Sequence, residues 1–262
     1  MKKLHIWNLL NPNAPVTPEA TVTPEVTATP VTPVAPGTAP AVDPQNGATP
    51  AAKGEAPEAA GWTRLVFILD RSGSMHGREE DTIGGYNRLL EAQKALPGEA
   101  RVTTVLFDDR YELLCGDVPL EKTQPLDGST YFVRGSTALL DAVGRTISDL
   151  RARDRAGDRP ARTVVAITTD GLENASREYR FETVREMIRA QEGVGWEFLF
   201  LGANIDAAAE ARRIGIRADR AANFSADAEG IAESYEAVSC AMASVRANKD
   251  MGRAWKKKLE QR

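Results

Sequence analysis

Three largely apolar segments, separated by stretches with helical periodicity, constrain the fold of this chain more than any other feature. They span residues 64–70, 162–169 and 196–201. A strand with such a run is buried on both faces, which is typical of a parallel sheet that is covered by helices. The sequence therefore predicts an α/β fold with a doubly wound, mostly parallel sheet.

Shorter patterns complete this fold. We predict further strands at 101–107, 111–114 and 221–224, and the Asp108-Asp109-Arg110 turn makes 111–114 an antiparallel strand at the sheet edge. Helices are expected at 81–96, at 137–150, around 181–193, and at 231–245, where apolar residues step by three and four.

The prolines separate the predicted domain from what precedes it. Eleven of the 15 prolines lie before Gly61, and residues 13–60 contain no aromatic residue. Such a segment cannot bury enough apolar surface to fold, so we predict a disordered Pro/Thr/Ala-rich linker. The predicted domain spans 61–248, and the basic residues of 249–262 are expected to form a solvated helix end.

Residues 1–12 form a short segment of their own. Lys2 and Lys3 precede an apolar stretch from Leu4 to Leu10, which His5 and Asn8 interrupt. A secretion signal, a docking peptide and an inert start are all compatible with this pattern, and we expect a docking peptide. Without a good signal we predict a cytoplasmic protein, with a cell-surface or virion location as the alternative.

Composition excludes several classes of protein. No apolar run approaches the roughly 20 residues of a membrane-spanning helix, so we expect no transmembrane segment. The net charge of −4 gives no basic face for nucleic acid. Two histidines and two cysteines are too few for a structural zinc site, and Cys115 and Cys240 are expected to be free, buried thiols. We expect the protein to be monomeric when alone.

Oxygen-bearing side chains follow the predicted strands. Asp70, Ser72 and Ser74 follow the first strand, Thr137 begins a helix, and Asp170 follows the strand at 162–169. Ligands of doubly wound folds bind beyond the carboxyl ends of the strands, so these side chains should converge there. Gly73 should let the loop turn so that both serines face inward.

Two carboxylates and three hydroxyls suit a hard divalent cation. Mg²⁺ prefers six oxygen ligands and accepts water among them, and Mn²⁺ or Ca²⁺ are alternatives. Neutral hydroxyls leave the cation electrophilic, so a carboxylate from another molecule can complete its coordination. The sequence thus predicts a magnesium site that an acidic partner can reach.

These motifs resemble the metal-ion-dependent adhesion site of von Willebrand factor A (vWA) domains. The resemblance rests on Asp70-x-Ser72-x-Ser74, Thr137 and Asp170 in a Thr-Asp-Gly context, and covers about 62–246. The surrounding phrases are similar to the small stand-alone bacterial and phage members of the family. The resemblance implies that Ser72, Ser74 and Thr137 are hydroxyl ligands, and that Asp70 and Asp170 bind the metal directly or through water.

The resemblance also implies a non-enzymatic module that binds a protein partner through an Asp or Glu of that partner. Flanking residues could form a rim that selects it: Arg71, His76, Tyr131, Arg134, Glu173 and Asn174. Asp141 is expected to orient a water or to be a solvated helix residue, and Asp108 and Asp109 to be hairpin-turn residues.

Two other functions stay open at this point. A serine hydrolase would use Ser72 or Ser74 with His76, but the chain has no Gly-x-Ser-x-Gly elbow. The chain also has no glycine-rich nucleotide loop, so the sequence does not favour phosphoryl transfer or dinucleotide binding. A tethered structural component of a phage or cell-surface assembly would account for the long linker. We expect no enzymatic activity.

Overall fold

The structure is a computed structural model that describes residues 61–157 and 159–261. The predicted docking peptide (1–12) and linker (13–60) lie outside the described residues.

The described residues contain a six-stranded sheet in the order β3-β2-β1-β4-β5-β6. All neighbouring pairs are parallel except β2 and β3, which are antiparallel. The strands are β1 (Thr63–Asp70), β2 (Ala100–Phe107), β3 (Tyr111–Pro119), β4 (Arg162–Thr169), β5 (Trp196–Ala203) and β6 (Ala221–Phe224). The predicted fold class and the antiparallel edge strand are therefore confirmed.

Helices cover both faces of the sheet. They are α1 (Glu79–Lys94), α2 (Leu139–Arg155), α3 (Phe181–Glu192), α4 (Ala207–Arg213) and α5 (Ala228–Arg246). Alternate residues of β1 point to opposite faces, so Phe67 packs in the core beneath α1 and α5, whereas Ile68 packs in the core beneath α2 and α3. Two apolar cores hold the central strands in place, and the loops that leave those strands have a rigid base.

The chain after α5 differs from the prediction. Two 3₁₀ turns, Ala254–Lys256 and Leu259–Gln261, replace the expected solvated helix end. Trp255 and Leu259 are buried in the core beneath α5, and Lys256 Nζ donates to the carbonyl oxygens of Ala218 and Ala221. The basic composition suggested a solvated segment, but these apolar side chains fix it on the domain.

Cys115 is half-buried and Cys240 is exposed, and both are free thiols, so the expectation that both are buried is wrong for Cys240. Within 61–157 and 159–261, no helix is long and apolar enough to span a membrane.

Candidate metal centre

The strand order fixes where a ligand can bind. The chain winds outward in both directions from the pair β1 and β4, and the carboxyl ends of such a pair form the binding crevice of doubly wound folds. Asp70 is the last residue of β1, and Asp170 directly follows β4. The two predicted carboxylates therefore flank the crevice.

Asp70 is held rigidly within this edge. Its Oδ1 accepts a hydrogen bond from the backbone N–H of Ser72 at 2.7 Å, and its Oδ2 accepts one from Oγ1 of Thr169 at 2.6 Å. Tyr131 is also buried and donates to the carbonyl oxygen of Asp70 at 2.6 Å. Burial raises the pKa of Asp70 to about 6, although the hydrogen bonds from Ser72 and Thr169 oppose that shift.

The two serines link the carboxyl ends of β1 and β4. The Oγ atoms of Ser72 and Ser74 lie 3.1 Å apart, so both serines face inward as predicted. Ser74 lies in a 3₁₀ turn, Gly73–Met75, and its hydroxyl donates to Oδ1 of Asp170 at 2.5 Å. A continuous chain of oxygens thus crosses the crevice. Gly73 has no left-handed conformation, and its N–H donates to the carbonyl of Gly135 instead.

Thr137 reaches the same point from the loop before α2. Its hydroxyl, like that of Ser74, lies close to Gly171. A methyl group built on Gly171 would lie 3.1 Å from Oγ1 of Thr137 and 3.5 Å from Oγ of Ser74. The backbone of Thr137 is fixed by Asn174, whose side-chain oxygen accepts from its N–H at 2.9 Å. Gly171 leaves the space that lets these hydroxyls come together.

The structure therefore brings together all five predicted residues. Across 61–157 and 159–261, no group of three His, Cys, Asp or Glu side chains could hold a metal ion. Two carboxylates and three hydroxyls form the candidate site instead, and this donor set fits a hard divalent cation.

Sequence reasoning missed one cation in the site. Arg78 precedes α1, and its Nη1 donates to Oδ2 of Asp170 at 3.1 Å and to the carbonyl oxygen of Ser74 at 2.5 Å. The contact shows that positive charge is accommodated at this carboxylate. No spacing in the sequence signals this contact, because residues 74–78 do not form a regular helix and Gly77 between them has a left-handed φ of +81°.

The rim predicted around the site is largely structural. Arg71 is fully buried, and its Nε donates to Oδ2 of Asp108 at 3.0 Å, so it cannot attract an acidic partner. Arg134 donates to the same oxygen at 2.6 Å. Asp108 is itself fully buried and is more than a hairpin-turn residue, because it forms ion pairs with both arginines.

The loop after β4 is held by two further carboxylates. Glu173 accepts from the backbone N–H groups of Leu140, Ala175 and Ser176. Asp141 accepts from the N–H groups of residues 177–179, so it anchors this loop and is not a solvated helix residue. Backbone N–H groups in a turn need acceptors, and these carboxylates supply them.

His76 remains at the surface. Its side chain is 84% exposed, and Nδ1 lies 3.5 Å from Oε1 of Glu79. The serine hydroxyls, by contrast, contact each other and Asp170. His76 therefore lies outside the hydrogen-bonded group of Ser72, Ser74 and Asp170.

Comparison with known proteins identifies the fold but no family. No protein-family model matches the chain, and no curated protein matches its sequence. Among solved structures, the PilB minor pilin from Streptococcus sanguinis is 10% identical with a TM-score of 0.54, over 73% of this chain and 63% of that chain. The pilus adhesin SpaC from Lactobacillus rhamnosus GG is 13% identical with a TM-score of 0.54, over 72% of this chain and 31% of that one.

A third structure, von Willebrand factor type A from Catenulispora acidiphila, is 18% identical with a TM-score of 0.48, over 70% of this chain and 43% of that chain. The match thus covers less than two thirds of each of these three proteins. Likeness at such low identity concerns the fold alone. The sheet order and its antiparallel edge strand fit a vWA-like Rossmann fold.

Proposed function

We propose that this chain is a non-enzymatic, metal-dependent protein-binding module that belongs with the vWA domains. The observation that carries the proposal is the meeting of Asp70, Ser72, Ser74, Thr137 and Asp170 at the crevice between β1 and β4. These residues would hold Mg²⁺, with Mn²⁺ or Ca²⁺ as alternatives. Bound there, the cation would supply a coordination position for an Asp or Glu carboxylate of a partner protein.

The chain's own residues prepare the site for this role. Asp70 is fixed by two hydrogen bonds, and Ser74 is fixed by Asp170, so the ligands need little reordering. Three of the five ligands are neutral hydroxyls, which limits the negative charge that would repel a partner's carboxylate. Both features favour a site that binds an acidic group from outside.

The hydrolase alternative receives less support. A nucleophilic serine needs a base within hydrogen-bond reach, and His76 contacts Glu79 on the surface. We therefore expect His76→Ala to leave partner binding unchanged. Hydrolysis of an ester or peptide that His76→Ala abolishes would establish the hydrolase in place of the binding module.

Metal binding is tested on the full chain with Mn²⁺ as an electron paramagnetic resonance probe. We expect one Mn²⁺ per chain, displaced by Mg²⁺, and loss of binding in Asp70→Asn and Thr137→Val. Glu91→Gln, whose side chain is 72% exposed on α1, is the control and should bind as the wild type does. Unchanged binding in both site variants would contradict the proposed ligands.

Partner binding is tested by affinity capture in Mg²⁺ and in EDTA, followed by identification of the retained protein. We expect a partner that the wild type and Glu91→Gln retain only in Mg²⁺, and that Thr137→Val does not retain. A partner that is held equally in EDTA would show that binding does not use this site. The cytoplasmic location and the monomeric state stay predictions.

A further inference from the structure

Arg78 occupies a position that the proposed function does not explain. Its Nη1 contacts the carboxylate of Asp170 and the carbonyl oxygen of Ser74, both within the candidate metal centre. The side chain of Asp170 is 1% exposed, and that of Arg78 is 24% exposed. The guanidinium therefore covers a buried carboxylate from the solvent side.

The backbone directs Arg78 into the site. Gly77 has φ +81°, a left-handed conformation that turns the chain between the 3₁₀ turn and α1. A second contact fixes the other end of the guanidinium, because Nε donates to the carbonyl oxygen of Ala226 at 3.0 Å. Three oxygens from three segments thus hold one side chain over the site.

A guanidinium that pairs with Asp170 and a divalent cation that binds Asp170 would compete for the same negative charge. A guanidinium and a divalent cation on Asp170 would lie only a few ångströms apart, where like charges still repel strongly at a protein's effective dielectric constant of about 20. Resting on the proposed metal site, we infer that Arg78 is an internal counter-ion that competes with the metal for Asp170. Metal binding releases Arg78 from Asp170, and the positive charge of Arg78 lowers the affinity of the site for a divalent cation.

The test is the Mn²⁺ dissociation constant of four full-length proteins: wild type, Arg78→Gln, Arg78→Lys and Arg88→Gln. Arg78→Gln should bind Mn²⁺ at least tenfold more tightly, which corresponds to about 1.4 kcal/mol. Arg78→Lys keeps the charge and should stay closer to the wild type. Arg88 is exposed on α1, about 15 Å further along at ~1.5 Å per residue, so its loss should change the constant less than about twofold.

The outcomes separate this inference from the proposed function. Equal binding by the wild type and Arg78→Gln would leave the metal site standing and overturn the role of Arg78. No binding by either would overturn both. Binding by Arg78→Gln alone would show that the guanidinium blocks the site in the wild type, which supports the inference.

A second measurement uses the wild type and does not depend on how well a variant folds. In the ¹⁵N spectrum of the arginine side chains, the Nε–Hε signal of Arg78 can be assigned by its loss in Arg78→Lys. We expect it to move on titration with Mg²⁺, because displacement alters the contact with Ala226. A signal that is unchanged at saturating Mg²⁺ would show that Arg78 is not displaced.

Discussion

Two clusters of charged side chains, each built around a buried carboxylate, lie at the same edge of the sheet and differ in their balance of charge. Around Asp108, the guanidinium groups of Arg71 and Arg134 meet two carboxylates, since both also lie near Glu112. The candidate metal centre holds Asp70 and Asp170 against the single guanidinium of Arg78. The first cluster is neutral by itself, whereas the second keeps one negative charge.

This difference is what the proposed function requires of the two clusters. A buried charge that is fully paired can serve to fix loops, and the arginines around Asp108 hold the loop of Phe132, whose ring lies 5.2 Å from the Arg71 guanidinium. A buried carboxylate without its own cation is costly unless a ligand supplies one. Structural ion pairs and a binding site can thus be distinguished by charge balance, although both are buried.

The largest expected effect is the loss of the Asp108 cluster. In Asp108→Asn the fully buried guanidinium of Arg71 loses its buried carboxylate partner, which typically costs about 3–5 kcal/mol of unfolding free energy. Urea unfolding in EDTA and in Mg²⁺ should show the same loss, because this cluster holds no metal. Glu112→Gln removes a 45% exposed carboxylate and should cost less than about 1 kcal/mol. A loss that Mg²⁺ restores would place Asp108 in the metal centre.

The next effect is the pH dependence of the metal-free protein. Burial raises the pKa of Asp70 from 3.8 to about 6, so between these values the folded state binds more protons than the unfolded state. The stabilisation from protonated Asp70 is thus complete below pH 3.8 and is lost as pH rises through about 6. The full change is up to about 3 kcal/mol. We expect unfolding in EDTA to show this fall for the wild type relative to Asp70→Asn.

An equal pH dependence in wild type and Asp70→Asn would contradict this assignment. It would mean that another group is responsible for the change, and that Asp70 is stabilised in its ionised form without a cation. The comparison between the two clusters would then be wrong for Asp70, because its charge would not need a cation.

A slightly smaller effect is expected from Mg²⁺. A ligand that binds only the folded state stabilises it by about 2.7 kcal/mol at 100 times its dissociation constant. Thermal melting of the wild type should therefore rise in Mg²⁺ relative to EDTA at pH 7.5, while Asp70→Asn melts alike in both. Glu91→Gln should keep the full shift. If the melting temperature of the wild type is the same in Mg²⁺ and in EDTA, the proposal of a metal centre is contradicted.

The sequence predicted the strands because their apolar segments are long, and it predicted that Asp70 and Asp170 lie at one edge because the carboxyl ends of parallel strands meet there. It missed α4, whose seven residues, Ala207–Arg213, are alanines with charged residues and show no large apolar period. It also placed 249–262 in solvent, although Trp255 and Leu259 are buried against the core. Short elements depend on tertiary packing that local patterns do not report.

The rim around the site was predicted least well. Loop residues of similar character follow the strands, yet Arg71 is buried beside Asp108 while His76 is exposed. The partner of a long charged side chain is set by which loops lie next to each other in space. The strand pattern predicts that Asp70 and Asp170 lie at one edge of the sheet, but spacing along the chain does not show that Arg78 reaches Asp170.

The smallest expected effect tests the space between the hydroxyls. In Gly171→Ala the new methyl group would lie 3.1 Å from Oγ1 of Thr137, closer than ordinary contact, so Thr137 must shift by a few tenths of an ångström. The unfolding free energy in EDTA should change by less than about 1 kcal/mol. Mn²⁺ binding should weaken about tenfold, or 1.4 kcal/mol, because the hydroxyl positions are altered. The matched control is Gly128→Ala, since a methyl group there meets no atom within 4 Å. If both variants bind Mn²⁺ as the wild type does, the position of the Thr137 hydroxyl does not affect metal binding. That result would contradict the proposed role of Thr137 as a ligand.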